Sequence, residues 1–266
     1  MLYFKDMRRW RLWIGLGLIL ILSGIGIGHF WSVKNQKSEN ATEAGKTLGV
    51  EKEEDCLKIK GSDGGNYCFD YFSAETEKVA LISNFEEGLK GTELKTKNNC
   101  RLMTNGGFYD ENFRPLGLLV IDHKQISLWR ESDLFNGLFS VNDFDTPRIT
   151  REVPADSLRI AIQSGPLLYE NGAKVLIKSS RDFSRRVVVA VTGENKPVFF
   201  VFYDETNFLE GPTLEELPDL IDRINQNYSL GIADALNLDG GTASLFFSNR
   251  INLNEVAKVG SVFCIH

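Results

Sequence analysis

The residue best placed to do chemistry is Asp239, a carboxylate that follows the apolar run at residues 235–238 and precedes Gly240 and Gly241. A short apolar run predicts a buried strand, and the two glycines remove side chains where a ligand or another backbone could approach. The strand would then place the Asp239 carboxylate at the base of an open loop. The alternative is an Asp-Gly hairpin turn, the commonest use of this dipeptide between strands.

Three further stretches place small or polar residues where an apolar run ends or begins: Asn105, Gly106, Gly107 and Phe108; Gln163, Ser164 and Gly165; and Ser184, Arg185 and Arg186. Amide side chains and unhindered backbone N–H groups of this kind can bind a hydroxyl group or an anion. The guanidinium fork of Arg185 matches the oxygens of a phosphate. Tight turns between strands are the alternative for the first two stretches, and a surface or ion-pair arginine is the alternative for Arg185.

Together with the Asp239 loop, these stretches resemble, in the same order, the phosphodiester glycosidase family. The resemblance covers roughly residues 103–263, and its most specific parts are the Asn-Gly-Gly-Phe stretch and the Asn-Leu-Asp-Gly-Gly stretch. It implies that the chain hydrolyses the glycosidic bond of sugar-1-phosphodiesters or related phosphoglycans. In that interpretation Asp239 acts as the acid or nucleophile and Arg185 holds the phosphate.

The resemblance also implies a set of substrate-binding residues. They are Asn105, Gly106, Gly107, Phe108, Gln163, Ser164, Gly165, Gly240, Gly241 and Thr242. The sequence departs from the family in two places. Thr242 and Ala243 stand where members often have Gly-Ser, and Arg186 stands where a threonine is frequent. These departures bear on the substrate more than on the fold.

The scarcity of histidine restricts the chemistry to carboxylates and arginines. None of the three histidines is well placed to be the base of a serine or cysteine triad, and no Gly-Lys-Ser/Thr phosphate loop is present. Glycosidases commonly use two carboxylates, but phosphate leaves readily, so one carboxylate and one cation would suffice. Asp204 and Glu205 are the best candidates for a second carboxylate, with solvation of their loop as the alternative, and Asp182 is a weaker candidate. No calcium-loop or zinc-ligand spacing occurs, so we expect neither a metal nor a cofactor; a calcium ion held by Asp239 and the carbonyls of its turn is the alternative.

Strand signals dominate the second half of the chain. Hairpins are predicted at residues 122–124, at Asn171-Gly172 and at residues 193–196. The runs at residues 187–192 and 198–203 are rich in valine and phenylalanine and show little alternation. We therefore expect both faces of these two strands to be covered.

Two helices are predicted. Apolar residues at helical spacing indicate one between Gly211 and Ser229, and Thr213 with Glu216 fits a capping box. Pro218 would clash beyond the first turn, so the regular helix should begin near it. A second helix is predicted over residues 75–88. The expected fold is one α+β domain with a mixed, mainly antiparallel β-sheet core and a few packed helices.

The N-terminal part predicts export and membrane anchoring. Residues 1–11 are basic, and residues 12–31 are almost uninterruptedly apolar and long enough to cross a bilayer as a helix. The basic segment should stay in the cytoplasm, which places the rest in the periplasm or outside the cell. A cleaved signal peptide, giving a secreted protein, is the alternative. Residues 32–54 are polar and predict a linker, and residues 55–266 predict the phosphodiester glycosidase-like domain.

All four cysteines, Cys56, Cys68, Cys100 and Cys264, fall in the part expected to be exported. An even number outside the cytoplasm is typical of disulfides, and four cysteines allow three pairings. Cys56 and Cys68 flank a Ser-Asp-Gly-Gly hairpin signal, which favours pairing them and leaves Cys100 for Cys264. Four buried free thiols are the alternative.

Charge and motifs together narrow the function. The net charge is −6, with no Lys/Arg cluster outside the N-terminal segment, which argues against nucleic-acid binding. The expected function is an exported, membrane-anchored hydrolase of a phosphodiester-linked glycan or sugar phosphate. One alternative is a glycan-binding or exopolysaccharide-assembly module of the same fold without turnover. Another is a phosphodiesterase that cuts phosphorus–oxygen bonds.

Overall fold

The computed structural model describes residues 56–178 and 182–266. In chain order the strands are β1 (Leu57–Lys60), β2 (Asn66–Ser73), β3 (Val79–Ser83), β4 (Leu102–Asn105), β5 (Leu119–Ile121), β6 (Lys124–Ser127), β7 (Gly137–Asn142), β8 (Pro147–Thr150), β9 (Leu158–Ser164), β10 (Leu167–Glu170), β11 (Ala173–Lys174), β12 (Arg186–Thr192), β13 (Pro197–Asp204), β14 (Ile232–Asn237), β15 (Phe246–Phe247), β16 (Asn252–Leu253) and β17 (Ser261–Ile265). The helices are α1 (Gly91–Lys97) and α2 (Leu217–Tyr228), with short 3-10 turns at Thr76–Lys78 and Gly241–Ala243.

The strands form three sheets. The largest has seven strands in the order β1-β2-β13-β12-β14-β10-β11, and the other two have the orders β16-β15-β4-β17-β3 and β6-β5-β9-β7-β8. Every strand pair of these sheets is antiparallel within the described residues. The predicted α+β class with a mainly antiparallel β-sheet core and a few helices is therefore confirmed, although the sheets are antiparallel throughout the described residues and not mixed.

The three sheets share one hydrophobic core, and aromatic rings from each sheet meet in it. Phe199 of β13, Phe263 of β17 and Phe139 of β7 are all fully buried. The ring centroids of Phe199 and Phe263 lie 5.0 Å apart, and Phe139 lies 5.4 Å from Phe263 and 6.4 Å from Phe199. Such aromatic pairs stabilise by about 0.5–1.5 kcal/mol each beyond their buried area. The sheets are thereby fixed against one another at the centre of the domain.

Helix α2 covers the opposite face of the seven-stranded sheet. Its buried residues Leu220, Ile221 and Ile224 pack in one cluster with Val188 of β12 and Phe200 of β13. Strands β12 and β13 are therefore buried on both faces, as their lack of alternation predicted. The three predicted hairpins are present as well, between β5 and β6, β10 and β11, and β12 and β13.

The start of α2 confirms one prediction and corrects another. The helix begins at Leu217, with Pro218 in its first turn, as expected. The predicted capping box is wrong, because Glu216 is the N-cap residue and no side chain caps the helix. The carboxylate of Glu216 instead accepts hydrogen bonds from the hydroxyl groups of Ser62 and Tyr67, at 3.3 Å each. The Glu216 side chain, which the local pattern assigned to a capping box, therefore bonds residues that are distant in the sequence.

The helix predicted over residues 75–88 is also wrong. A 3-10 turn at Thr76–Lys78 leads into β3 (Val79–Ser83), which pairs with β17. Val79 and Leu81 are buried while Ala80 and Ile82 are partly exposed, so the burial follows the two-residue period of a strand. The pairing with β17 decides the structure here over local helix propensity.

Both disulfides form with the favoured pairing. Cys56 bonds to Cys68 across the hairpin of β1 and β2, and Cys100, just before β4, bonds to Cys264 in β17. The second bond joins residues 164 positions apart in the chain. It thus ties the C-terminal strand to the segment that leads into the Asn105 stretch.

The N-terminal predictions fall on residues outside the described part of the chain. These are the basic segment at 1–11, the anchor at 12–31 and the linker at 32–54. Between residue 56 and residue 266, no described helix is long and apolar enough to cross a membrane. The anchor stays a prediction.

Candidate active site

The four sequence stretches meet at the carboxyl end of β14. This strand lies between β12 and β10, so its end is beside Arg186, where β12 begins, and beside the turn that precedes β10. The amide of Asn237 donates to the carbonyl of Pro166 at 3.1 Å. The amide of Asp239 donates to the carbonyl of Gly106 at 3.2 Å, just beyond β4. Backbone hydrogen bonds thus assemble segments that are far apart in the sequence.

An open cleft of about 600 Å³ lies over this junction. Its lining residues are Phe108, Leu134, Phe135, Gly165, Pro166, Asp182, Ser184, Arg186, Leu209, Leu214, Asn237, Asp239, Gly240, Gly241 and Thr242. The volume is in the range of ligand-binding sites, which also combine apolar walls with a few polar groups. Six of the predicted site residues line this cleft: Asp239, Phe108, Gly165, Gly240, Gly241 and Thr242.

Asp239 is the carboxyl group of the cleft whose ionisation is most perturbed. Its side chain is partly buried, and its Oδ1 accepts the N–H of Gly240 at 2.9 Å. Burial raises the pKa of Asp239 to about 7, and the hydrogen bond from Gly240 opposes that rise only in part. Both protonation states are therefore populated near neutral pH, which suits a group that accepts or donates a proton during a reaction.

Arg186, rather than Arg185, is the arginine that lines the cleft. Its Nε donates to the carbonyl of Pro212 at 3.0 Å, and its Nη2 donates to the Asp182 carboxylate at 3.2 Å. Burial lowers the pKa of Arg186, whereas Asp182 favours its charged form. The Nη1 group donates to no side chain or carbonyl in the described segments. A cation with one amino group that bonds none of the described residues is suited to an anionic ligand.

Arg185 lies behind the cleft, inside the protein. It is 1% exposed, its Nε donates to the Ser244 hydroxyl at 2.7 Å, and its Nη2 donates to the carbonyls of Ser244 and Asn254. Burial lowers the pKa of Arg185 to about 10, so the guanidinium is still protonated at neutral pH. The structure does not place it where the phosphate clamp was predicted.

The Asn105 side chain bonds the backbone of the Asp239 loop. Its Nδ2 donates to the carbonyl of Asp239 at 2.9 Å, and its Oδ1 accepts the amide of Leu245 at 3.0 Å. A Cβ atom on Gly106 would lie 2.3 Å from the Ser261 hydroxyl, so any larger residue there would displace the Ser261 side chain. Gly107 is likewise buried and does not line the cleft. These predicted ligand-binding residues therefore hold the backbone that carries the carboxylate.

Gln163 and Ser164 lie inside the protein as well. The Gln163 amide bonds only to backbone, with Oε1 accepting the amide of Leu118 at 2.9 Å and Nε2 donating to the carbonyl of Arg130 at 2.6 Å. Ser164 is fully buried, and its hydroxyl has no hydrogen-bond partner among the described residues. Of this stretch only Gly165 reaches the cleft.

The predicted second carboxylate, Asp204, belongs to a surface loop. Its Oδ1 accepts the amides of Thr206 and Asn207 at 2.8 and 3.1 Å. Hydrogen bonds from Thr206 and then Asn207 lower the pKa of Asp204, and the residue does not line the cleft. The other carboxylate that does line it is Asp182, which is paired with Arg186. No group of three or more metal-ligating side chains occurs within residues 56–178 and 182–266.

Sequence reasoning missed Arg186 and Asn237 as cleft residues, and it ranked Asp182 below Asp204 as a second carboxylate. The available signal was strand alternation, because neighbouring residues at the start of β12 point to opposite faces of the sheet. Alternation indicates that only one of Arg185 and Arg186 faces the cleft. The register of β12 against β14, which the sequence does not reveal, decides which one.

Solved structures share this fold. The catalytic domain of zebrafish N-acetylglucosamine-1-phosphodiester alpha-N-acetylglucosaminidase superposes with a TM-score of 0.61 at 16% identity, covering 79% of this chain and 81% of that one. A hypothetical protein from Synechocystis gives a TM-score of 0.58 at 14% identity, covering 79% of this chain and 61% of that one. At these identities the likeness is one of fold.

Sequence comparisons identify the family to which the chain belongs. The uncharacterized protein YigE of Escherichia coli strain K12 is 28% identical over 129 residues, which cover 44% of this chain and 51% of that protein. The match therefore spans about half the length of this curated relative. The sequence pattern of the phosphodiester glycosidase family matches residues 98–266, which include the whole Asp239 loop and every other segment that lines the cleft. The chain belongs to the phosphodiester glycosidase family.

Proposed function

We propose that this chain hydrolyses the glycosidic bond of sugar-1-phosphodiesters and that Asp239 acts at the anomeric carbon. The observation that carries the proposal is the presence of two complementary groups in one cleft. Asp239 has a pKa of about 7, and Arg186 has an amino group that bonds nothing else in the described segments. The first suits proton transfer or attack at carbon, and the second suits a phosphate.

The reaction can be balanced with these two groups. Water adds to the anomeric carbon while the Asp239 carboxylate accepts one of its protons. The bond between the anomeric carbon and the bridging oxygen breaks, and its electron pair leaves with the phosphate. Arg186 stabilises the charge that develops on the departing phosphate oxygens. The products are a free sugar and a phosphate monoester.

The cleft has an aromatic wall and a wall of glycine backbone, and a sugar diester fits between them. Phe108 and Phe135 supply aromatic surface, on which a sugar ring can pack. The turn at Gly240 and Gly241 presents backbone without side chains beside Asp239. The zebrafish relative acts on an N-acetylglucosamine-1-phosphodiester. We therefore propose a substrate of the same chemical class, either a small diester or a phosphodiester-linked glycan.

Export and membrane anchoring are part of the proposal. Two disulfides in the described domain are typical of proteins that fold outside the cytoplasm. The basic segment at residues 1–11 and the apolar run at residues 12–31 support an uncleaved anchor. Cell fractionation with N-terminal sequencing tests this, and a soluble mature protein that begins after residue 31 would contradict anchoring.

The activity is tested by incubating the protein with methyl phosphodiesters of glucose 1-phosphate and N-acetylglucosamine 1-phosphate and measuring free sugar. We expect release by the wild type and almost none by Asp239→Asn, which keeps the shape of the side chain but cannot ionise. Binding of these diesters without release would instead support the glycan-binding module. Release of a sugar phosphate would support a phosphodiesterase.

A further inference from the structure

We propose that Arg185 is a positioning residue, which holds the turn that carries Asp239 and does not contact the substrate. The inference rests on the proposed function of Asp239. It assigns the buried arginine a role different from that of Arg186, although the two are adjacent in the chain.

The main chain of Arg185 makes the first contact with the turn. Its carbonyl accepts the N–H of Gly241 at 2.8 Å. A Cβ atom on Gly240 would lie 2.5 Å from the same carbonyl oxygen, so the turn passes directly against it. Gly241 has a φ of +57°, in the left-handed region that favours glycine. The turn is thus narrow, and it is specified by glycine at both positions.

The side chain of Arg185 makes the second contact through a hydroxyl group. Its Nε donates to the Ser244 hydroxyl at 2.7 Å, and that hydroxyl donates to the carbonyl of Gly241 at 2.6 Å. Gly241 is therefore held at its N–H by the carbonyl of Arg185, and at its carbonyl, through Ser244, by the guanidinium. One residue fixes both hydrogen-bonding groups of the glycine.

The choice of arginine follows from this geometry. The guanidinium is buried and forms no ion pair within the described segments. The negative charge of Glu255 favours the protonated guanidinium without contacting it. Burying such a cation is costly unless its N–H groups are satisfied. The carbonyls of Ser244 and Asn254 satisfy Nη2 while Nε bonds the Ser244 hydroxyl. A lysine presents all its donors from a single nitrogen, so it does not reproduce the separate Nε and Nη2 positions of the guanidinium.

The turn controls the carboxylate through one hydrogen bond. The N–H of Gly240 donates to Oδ1 of Asp239, and this bond favours the ionised form. If the Arg185 side chain no longer held the carbonyl of Gly241 through Ser244, Gly240 would lose its fixed orientation. The Asp239 carboxylate would then be misplaced and its pKa would rise further. Misplacement of a catalytic group by about 1 Å can reduce the rate by about 100-fold.

The test compares Arg185→Lys, Ser244→Ala and the double variant. We expect kcat to fall by about 10- to 100-fold in each single variant, with KM changed less than about twofold. The acid limb of the pH–rate profile should move to higher pH. The double variant should be little worse than the single variants, because both act through Gly241. Arg159→Lys is the matched control, since Arg159 also donates to two backbone carbonyls, those of Thr76 and Val79, away from the cleft.

A 13C-NMR titration of the Asp239 carboxyl, assigned with Asp239→Asn, gives a readout that needs no turnover. A higher pKa in Arg185→Lys and Ser244→Ala, but not in Arg159→Lys, would support the inference even if the wild type hydrolysed no diester. An unchanged Asp239 pKa in both variants would overturn it. So would a KM for the phosphodiester that rises while kcat is kept, since Arg185 would then bind the phosphate itself.

Discussion

Replacing Asp239 by asparagine should stabilise the folded protein at neutral and alkaline pH, although it removes the carboxylate proposed to act in the reaction. The side chain is partly buried on the cleft wall, and its only hydrogen bond in the described segments comes from the N–H of Gly240. Asparagine can still accept that hydrogen bond. It carries no charge that burial would penalise.

The magnitude follows from the pKa of the carboxyl. Burial raises it from an ordinary value of 3.8 to about 7. Because the folded state binds the proton more tightly, the stabilisation is complete below about pH 4 and is lost as the pH rises to about 7. A difference of about 3 pKa units corresponds to about 4 kcal/mol, which is an upper value for a side chain that solvent partly reaches. We expect Asp239→Asn to gain about 1–4 kcal/mol at pH 8.

Urea unfolding of both proteins at pH 4, 6 and 8 measures this difference. The advantage of Asp239→Asn should grow from pH 4 to pH 8. Asp204→Asn is the control of opposite sign, because hydrogen bonds from Thr206 and Asn207 lower the pKa of Asp204 and favour its charge. That variant should be less stable than the wild type at pH 8. An Asp239→Asn protein no more stable than the wild type at pH 8 would refute the raised pKa and the role based on it.

Three further predictions concern the cleft and the core. Because the carboxylate form of Asp239 is proposed to react, kcat should rise with pH to a plateau above about pH 7, and a bell with its maximum below pH 6 would contradict this. Arg186→Lys keeps the charge but loses the fork, so the KM of a sugar phosphodiester should rise at least about tenfold and that of a neutral aryl glycoside less than about twofold. Equal effects would place Arg186 outside phosphate recognition. Replacing Cys100 and Cys264 by alanine opens a loop of 164 residues and should cost about 5 kcal/mol of unfolding free energy in denaturant titrations, so a loss below about 1 kcal/mol would contradict the chain-entropy account.

The parts of the fold that the sequence predicted are those specified locally. The Asn171-Gly172 turn, the unalternating runs of β12 and β13, and the helix that begins beside Pro218 each carry their own signal. The failures lie where distant contacts decide. Strand β3 exists because β17 pairs with it, and no local pattern contains that partner.

The candidate site shows the same division. The Asp239 loop, with its two glycines, was identified from local pattern, and the structure places it on the cleft. Whether a polar residue in the other stretches faces the ligand or the interior depends on tertiary packing. Asn105 bonds the backbone of Asp239, and Gln163 bonds the backbone at Leu118, so both carry polar groups that serve the fold. Composition and spacing do not distinguish these two uses.

Hydrolysis in 18O-labelled water tests the central claim most directly, because it reports which bond breaks. The wild-type protein would be incubated with the methyl phosphodiester of N-acetylglucosamine 1-phosphate, and both products analysed by mass spectrometry. Attack at the anomeric carbon, with Asp239 accepting the proton, predicts the label in the free sugar and none in methyl phosphate. Label in a phosphate product would show that a phosphorus–oxygen bond was cut, and it would contradict the proposed glycosidase.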